Sequence, residues 1–175
     1  MAKRIFICLF VFVCAQAVFT QKAVSGTRSV NRQKIERRLA GTWSLVLVDN
    51  IDANGKRTQP YGPNPQGLLI FNANGTYAIQ ILRADRPKFV LGDKTKGTDR
   101  ENQTLVLGTN THFGRYTINS DNTITFKIEH AFFPNWEGTE QRRPFTLTDT
   151  EFRYTVPTTT NGAGISGEVA WKRIK

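Results

Sequence analysis

Short segments of alternating apolar and polar residues, separated by turn-forming residues, recur along the chain after residue 41. Eight such segments are predicted to be strands, at residues 42–49, 68–71, 76–82, 112–118, 123–131, 141–147, 151–156 and 167–174. A period of two is typical of strands that bury one face. Strands joined mostly by short turns favour an all-β fold, an eight-stranded up-and-down antiparallel barrel, which leaves room inside for side chains and one small ligand. In the long connection before residue 112, Thr98-Asp99-Arg100-Glu101 has the spacing of a capping box, which predicts one or two helical turns.

The N-terminus has the pattern of a secretory leader. Lys3 and Arg4 precede an apolar run over residues 5–13, and Ala15-Gln16-Ala17 places small residues where a signal peptidase cleaves. The run is shorter than the roughly 20 residues that a membrane-spanning helix needs. We therefore expect residues 1–17 to be a signal peptide, the mature protein to be secreted or periplasmic, and no stable membrane insertion after cleavage.

Both cysteines, Cys8 and Cys14, lie inside this leader. The mature chain is therefore expected to lack any thiol for a disulfide, a nucleophile or a metal ligand. Without disulfides, an exported domain depends on its core for stability. Removing 17 residues from 175 leaves 158, which is enough for one such core. We expect a single barrel domain over residues 39–175, present as a monomer or a weak dimer.

The formal net charge of +10 is concentrated near the N-terminus. Residues 18–38 contain six basic side chains and one acidic one, a net charge of +5. This segment is predicted to be a basic linker followed by a short capped helix over residues 31–39, whose Ile35 and Leu39 would cover one end of the barrel. Because the basic residues are not interleaved with aromatic ones on a single face, we expect no nucleic-acid partner.

Alternation within each strand assigns side chains to the inside of the barrel. The inward set is expected to be Trp43, Leu45, Leu47, Tyr77, Ile79, Ile81, His112, Tyr116, Ile118, Ile124, Phe126, Ile128, His130, Gln141, Arg143, Phe145, Leu147, Phe152, Tyr154 and Val156. In the strand after Gln141, Pro144 is a position where a bulge could change the register. An apolar interior with a few polar groups near one end is typical of a small-molecule pocket.

The polar residues of this set do not form a recognisable catalytic or metal site. No carboxylate is placed by the sequence to orient His130 as a general base. Two histidines, His112 and His130, fall short of the three or four ligands that zinc needs. We therefore expect no metal and no cofactor. Under an alternative hypothesis, His130 and Tyr116 would act as acid–base catalysts inside the cavity.

The first and last strands of a closed barrel pair with each other, so the two ends of the chain should meet. Trp43 lies in the first strand, and Lys172 and Arg173 lie in the last. We expect Arg173 to lie across the Trp43 indole and close the base of the barrel by a cation–π contact. This role is structural.

Several motifs go beyond a generic barrel. They are Gly41-Thr42-Trp43, Tyr61-Gly62-Pro63, Gly67-Leu68-Leu69-Ile70, Arg83-Ala84-Asp85-Arg86-Pro87, Phe113-Gly114-Arg115-Tyr116, the stretch from Phe133 to Arg143, and Trp171-Lys172-Arg173. Together they resemble the lipocalin-like domain family of small bacterial and fungal proteins, from about residue 39 to residue 174. The resemblance implies a calycin-type barrel that binds small apolar molecules, and it leaves a cyclase or isomerase activity as an alternative. The chain has Phe126 where relatives often carry histidine.

The loop over residues 132–139 is the best candidate for a functional element, because it is rich in aromatic residues and should fold over one mouth of the barrel. Arginine side chains could recognise an acidic group on a ligand. The candidate ligand-binding residues are Arg83, Arg86, Tyr116, Phe126, His130, Phe133, Asn135, Trp136, Gln141 and Arg143. We expect a secreted or periplasmic binder of a small hydrophobic ligand, with two alternatives: an enzyme, or a surface interaction module with a filled barrel.

Overall fold

The computed structural model describes residues 30–160 and 164–175. The expected signal peptide and the first part of the basic linker lie outside the described residues. The first described element is a helix over residues 30–39, here α1, which agrees with the helix expected over residues 31–39. In the described ranges, no helix has the length and apolar character needed to cross a membrane.

The strands form a closed antiparallel barrel. They are β1 (Gly41–Ile51), β2 (Arg57–Thr58), β3 (Gln66–Phe71), β4 (Thr76–Leu82), β5 (Thr109–Ile118), β6 (Thr123–Ala131), β7 (Glu140–Leu147), β8 (Glu151–Val156) and β9 (Ser166–Arg173). Each strand from β3 to β9 pairs with the next, β1 pairs with β3, and β1 also pairs with β9 to close the sheet. The two-residue β2 pairs only with β1. The predicted eight-stranded barrel is confirmed, with β2 as an addition that the sequence did not indicate.

A second helix, α2 (Asp99–Leu107), lies in the long connection between β4 and β5. Its first turn has the capping box expected from the sequence: the Thr98 hydroxyl accepts from the backbone of Glu101, and the Glu101 carboxylate accepts from the backbone of Thr98. Two short 3-10 helices, Lys94–Lys96 and Pro134–Trp136, complete the regular structure of the described residues.

One end of the barrel, which we call the base, is filled with large side chains. Trp43, Phe71 and Phe152 are fully or almost fully buried there, and the rings of Phe71 and Phe152 meet edge to face with centroids 5.5 Å apart. Helix α1 covers this end, since Leu39 is fully buried and its carbonyl accepts a 2.9 Å hydrogen bond from Trp43 Nε1. The packed base leaves the opposite end of the barrel for a cavity.

The Arg173 guanidinium lies over the Trp43 ring, with 4.0 Å between its central carbon and the ring centroid. The two residues are direct partners in the β1–β9 ladder. Arg173 also donates hydrogen bonds to the backbone carbonyls of Arg38, Ala40 and Asp149. At the base, its side chain therefore connects α1, the turn between β7 and β8, and the first and last strands.

A β-bulge in β1 changes which residues face inward. Trp171 pairs with Leu45, but the next residue of β9, Ala170, pairs with Leu47, so β1 contains one extra residue. Val48, rather than Leu47, then lies on the inner side opposite Val169. The assignment of Leu47 to the interior is therefore wrong. Pro144, in contrast, causes no bulge, because the pairing of β6 with β7 runs without interruption from Thr123 to Lys127.

Candidate functional site

A cavity of about 530 Å³ lies in the half of the barrel opposite the base. Its walls come from the end of β1, β4, β6 and β8 and from the beginning of β5, β7 and β9. Loops on the same side, including residues 132–136 and 158–160, form its rim. A volume of this size is within the range of small-molecule sites. The interior of this half of the barrel is therefore hollow, whereas the surface-module alternative had assumed a filled barrel.

Most of the wall is apolar. The apolar lining consists of Val48, Pro60, Ile81, Val106, Leu107, Phe126, Phe132, Phe133, Trp136, Val156 and Val169. At the rim, the Trp136 ring meets Phe133 edge to face with centroids 5.5 Å apart, and meets the His112 ring at 5.9 Å. The 3-10 helix Pro134–Trp136 holds Trp136 in place, and the loop over residues 132–139 does line the mouth, as its composition predicted.

Arg143 brings a positive charge into this apolar cavity. Alternation in β7 turns its side chain inward, where Nη2 donates a 2.6 Å hydrogen bond to Gln141 Oε1. Among the described residues, no carboxylate lies within 4.0 Å of the guanidinium. Burial lowers the pKa of Arg143, but arginine stays protonated in proteins. The charge is thus held inside the barrel without an anionic partner.

His112 and Tyr77 form a polar pair beside the cavity. The Tyr77 hydroxyl and His112 Nδ1 are 2.8 Å apart, joining β4 to β5 by a side-chain hydrogen bond. Burial, followed by the positive charge of Arg143, lowers the pKa of His112 to about 4. Burial likewise raises the pKa of the Tyr77 phenol. Both side chains are therefore neutral at neutral pH and can offer hydrogen bonds but no charge.

Other polar residues also line the cavity, among them Asn50, Thr109, the exposed Glu140 and residues 158–160. Burial raises the pKa of Tyr154 to about 12, against the opposing effect of the Arg143 charge, and burial also raises the pKa of Tyr61. The amide oxygen of Asn110 is buried and accepts no hydrogen bond within the described structure. Buried polar atoms almost always have partners, so this oxygen is a further place where a bound molecule could donate.

His130 lies outside the barrel, and the prediction that it points into the cavity is wrong. Phe113 pairs with His130, but the next residue, Gly114, pairs with Ile128, so Glu129 is an extra residue in β6. After this bulge the alternation is reversed, and the His130 side chain is 67% exposed with Nδ1 3.5 Å from Glu137 Oε1. The bulge requires Gly114, since a Cβ there would lie 2.1 Å from the Lys127 carbonyl oxygen.

The structure brings together half of the residues predicted to bind a ligand. Phe126, Phe133, Trp136, Gln141 and Arg143 line the cavity. The others lie elsewhere: Arg83 pairs with Asp85, Arg86 donates to the Arg83 carbonyl, Tyr116 donates to the Asn72 carbonyl near the base, and Asn135 and His130 are exposed. Because His130 is outside and Tyr116 is in the base, the proposed acid–base pair does not form.

The sequence analysis did not include Tyr61, Asn110 or Tyr154 among the ligand-binding residues. It considered His112 only as a possible metal ligand and rejected that role. Alternation had placed His112 and Tyr154 inside, so the signal was present but was not connected with a site. A glycine within a strand often marks a bulge, and Gly114 was the signal that could have corrected His130. The described residues contain no group of three or more His, Cys, Asp or Glu side chains that could hold a metal ion.

The sequence was compared with family models, with curated proteins and with solved structures. A family model described as a lipocalin-like domain matches residues 40–174. Among solved structures, a redesigned β-barrel, b11L5F_LGL, is 17% identical with a TM-score of 0.41, and the match covers 80% of this chain and 95% of that one. EF1p2_mFAP2b bound to DFHBI is 13% identical with a TM-score of 0.40, covering 82% of this chain and 99% of the other. No curated protein matches the sequence.

Proposed function

The chain belongs to the lipocalin-like domain family, and from that membership we propose that it is an exported binding protein for a small, largely apolar molecule that carries one acidic group. The barrel fold of this family supports small-molecule binding in general. The acidic group and the export are the more specific parts of the proposal. Catalysis is not part of it, since the acid–base pair that it would have needed does not come together.

The observation that carries the proposal is Arg143 inside an apolar cavity. A buried charge without a partner is costly, and a ligand anion would satisfy it. The guanidinium presents two parallel N–H groups that match the two oxygens of a carboxylate. The neighbouring Arg142 also borders the cavity, but its exposed guanidinium is directed to Asp121 and Thr123, so among the described lining residues only Arg143 turns a cationic group inward. One interior cation favours a single negative charge, as in a carboxylate, over a doubly charged phosphate.

The remaining lining fits an amphiphile that enters with its acidic group first. Arg143 lies on the inner wall beside the Tyr77–His112 pair, whereas Phe133 and Trp136 lie at the rim. The apolar part of the ligand would therefore extend from Arg143 toward the rim. Burial of apolar area would supply most of the affinity, and the polar groups would fix the orientation.

A pair of probes with the same chain tests this proposal. Dodecanoate and dodecanol differ in the acidic group, and binding can be followed through the fluorescence of Trp136, since Trp43 and Trp171 are fully buried. We expect the wild-type protein to bind dodecanoate more tightly than dodecanol by about tenfold or more, as for a charged hydrogen bond. Arg143→Met should abolish this preference and leave dodecanol binding in place.

Arg142→Met is the matched control, because it removes an adjacent arginine whose side chain points outward. This variant should keep the wild-type preference for dodecanoate. Equal affinity of the wild-type protein for both probes would contradict the acidic group, and no binding of either probe would contradict the cavity as a site for such molecules. Trp136→Phe should remove the fluorescence response and so identifies the reporting residue.

Export is supported by the leader pattern of residues 1–17. Expression of the full chain in a secreting host, followed by mass measurement of the exported protein, tests it. A mature chain that begins near Val18 is the expected result. A full-length chain retained in the cell would contradict export. Sedimentation velocity on the same material tests the expectation of a monomer or a weak dimer.

A further inference from the structure

The connection between β4 and β5 stands on the rim of the barrel without entering its core. A backbone hydrogen bond of 2.9 Å from Arg83 to the Gly108 carbonyl joins its two ends. Between these residues, no side chain over residues 84–107 is buried. The segment is nevertheless ordered internally: it contains a 3-10 helix, the capped helix α2, and a 2.8 Å hydrogen bond from the Val90 backbone to Glu101 Oε1.

This ordered segment and the start of the loop after β6 leave apolar side chains in solvent, which together we call the rim patch. Val90 is 90% exposed and Leu91 is 69% exposed. The rest of the rim patch consists of Leu105, Val106, Leu107, Phe132 and Phe133, all of them exposed. Single exposed apolar residues are common, but several of them on one structured connection beside the mouth of a cavity indicate a surface that meets an apolar partner.

The rim patch is continuous with the mouth of the cavity. Val106, Leu107 and Phe133 each line the cavity and are also exposed on the outside. If the rim patch contacts an apolar environment, a molecule could therefore pass from that environment into the cavity without crossing water. The expected partner is therefore an apolar phase that itself contains the ligand molecules. A partner that bound only the outside of the barrel would not need this continuity.

The charges around the rim patch indicate which apolar phase this is. Lys88 and Lys94 flank Val90 and Leu91, and Arg100 lies in the first turn of α2. In the described part of the chain, none of these three cations is within 4.0 Å of a carboxylate. Of the acidic side chains on the same connection, Asp85 pairs with Arg83, Asp93 pairs with Lys96, and Glu101 accepts from the backbones of Val90 and Thr98, while Asp99 precedes Arg100 in the first turn of α2. Apolar side chains bordered by free cations are typical of surfaces that bind anionic lipid.

We propose that the rim patch docks the open end of the barrel on an anionic lipid surface. Val90 and Leu91 enter the headgroup region, and Lys88, Lys94 and Arg100 meet lipid phosphates. The protein lies on the membrane and does not span it. This proposal goes beyond ligand binding, since it concerns the outside of the barrel and holds whether or not the cavity prefers an acidic molecule.

Cosedimentation of the full chain with vesicles tests the docking. One vesicle type contains phosphatidylcholine alone, and the other contains phosphatidylcholine with an equal amount of phosphatidylglycerol. We expect the wild-type protein to bind the vesicles that contain phosphatidylglycerol more tightly than those of phosphatidylcholine alone. The double variant Val90→Thr, Leu91→Thr should weaken it by about tenfold, through loss of apolar area. Neither residue lines the cavity, so this variant should bind dodecanoate as the wild type does.

The matched control is Leu68→Thr, Ile70→Thr, which removes two exposed apolar side chains from the outer wall of β3. Its vesicle binding should stay at the wild-type level. The control also accounts for the basic N-terminal segment, which is present in every variant. Equal loss in both double variants, or no loss in either, would overturn the assignment of docking to the rim patch.

Lipids with brominated acyl chains give a second, geometric readout. Bromine quenches only nearby indoles, and Trp136 is at the rim, whereas Trp43 and Trp171 are fully buried. Partial quenching that disappears in Trp136→Phe is the expected result. If the protein fails to bind anionic vesicles but self-associates through Val90 and Leu91 in sedimentation velocity, the rim patch is an interface between copies and the lipid proposal is wrong.

Discussion

The Arg173 guanidinium lies 4.0 Å from the centroid of the Trp43 ring and bonds to backbone carbonyls on both sides of it. Trp43 is fully buried and is the first large side chain of β1. The contact therefore joins the beginning of the barrel to its end and covers the outer surface of the base. Because the cavity is at the opposite end, this contact stabilises the barrel and takes no part in the binding site.

Arg173→Met should reduce the free energy of unfolding by about 1–3 kcal/mol, since the cation–π contact and several hydrogen bonds are lost together. Urea denaturation followed by circular dichroism measures this change. Dodecanoate affinity should remain at the wild-type value, because the residue is far from the cavity lining. Lys172→Met, at an exposed neighbouring position, should leave stability nearly unchanged. A comparable loss in both variants would argue against the specific contact with Trp43.

His112 should make stability depend on pH. Its pKa is about 4 in the folded protein and 6.5 in the reference state, so between these values the unfolded chain binds a proton that the folded protein excludes. The free energy of unfolding should then fall as the pH falls from 6.5 to 4, by about 3 kcal/mol in total. Chemical denaturation at a series of pH values checks the slope.

His112→Asn retains a hydrogen-bonding side chain beside Tyr77 but does not titrate, so its stability should change less over the same pH range. His130→Asn is the matched control, because it replaces the exposed histidine. It should keep the wild-type slope. If instead the His130 variant loses the pH dependence, the buried histidine is not its source.

Arg143→Met should stabilise the ligand-free protein by about 1–2 kcal/mol, because replacing a half-buried charge that has no carboxylate partner by an apolar side chain removes its desolvation cost. Thermal denaturation of the delipidated protein measures this effect. The same substitution should reduce the stabilisation that dodecanoate provides to the wild type. A destabilised ligand-free variant would show that Arg143 has a structural role that outweighs the cost of its burial.

Gly114→Ala should destabilise the barrel by about 2–3 kcal/mol, as expected for overpacking. A Cβ at this position would lie 2.1 Å from the Lys127 carbonyl oxygen and 2.8 Å from the Glu129 nitrogen, so β5 and β6 must move apart at the bulge. Amide hydrogen exchange should show the loss of protection there. Gly55→Ala tests a turn glycine with no atom within 4 Å of its Cβ, and its smaller effect would come from its positive φ alone.

The strands were predictable because each has a local period of two and ends at turn-forming residues. Residues 76–82, 123–131 and 151–156 were placed without error, since turns with Asn, Asp or Gly bound these strands. The two-residue β2 was not predictable, as it has no period and depends on pairing with β1. Phe126, Trp136 and Arg143 were found as site residues because strand alternation or an aromatic-rich loop marked them.

By itself, the sequence determined the all-β barrel, the capped helix α2, the closure of the base between Trp43 and Arg173, and the inward direction of Arg143. These follow from local periodicity, capping chemistry and the pairing of the first and last strands. Only the tertiary structure decided that His130 faces solvent, that Val48 replaces Leu47 inside, and that the half of the barrel around Arg143 stays hollow. Bulges and cavities depend on how neighbouring strands approach one another, and a single strand's pattern of apolar residues does not contain that distance.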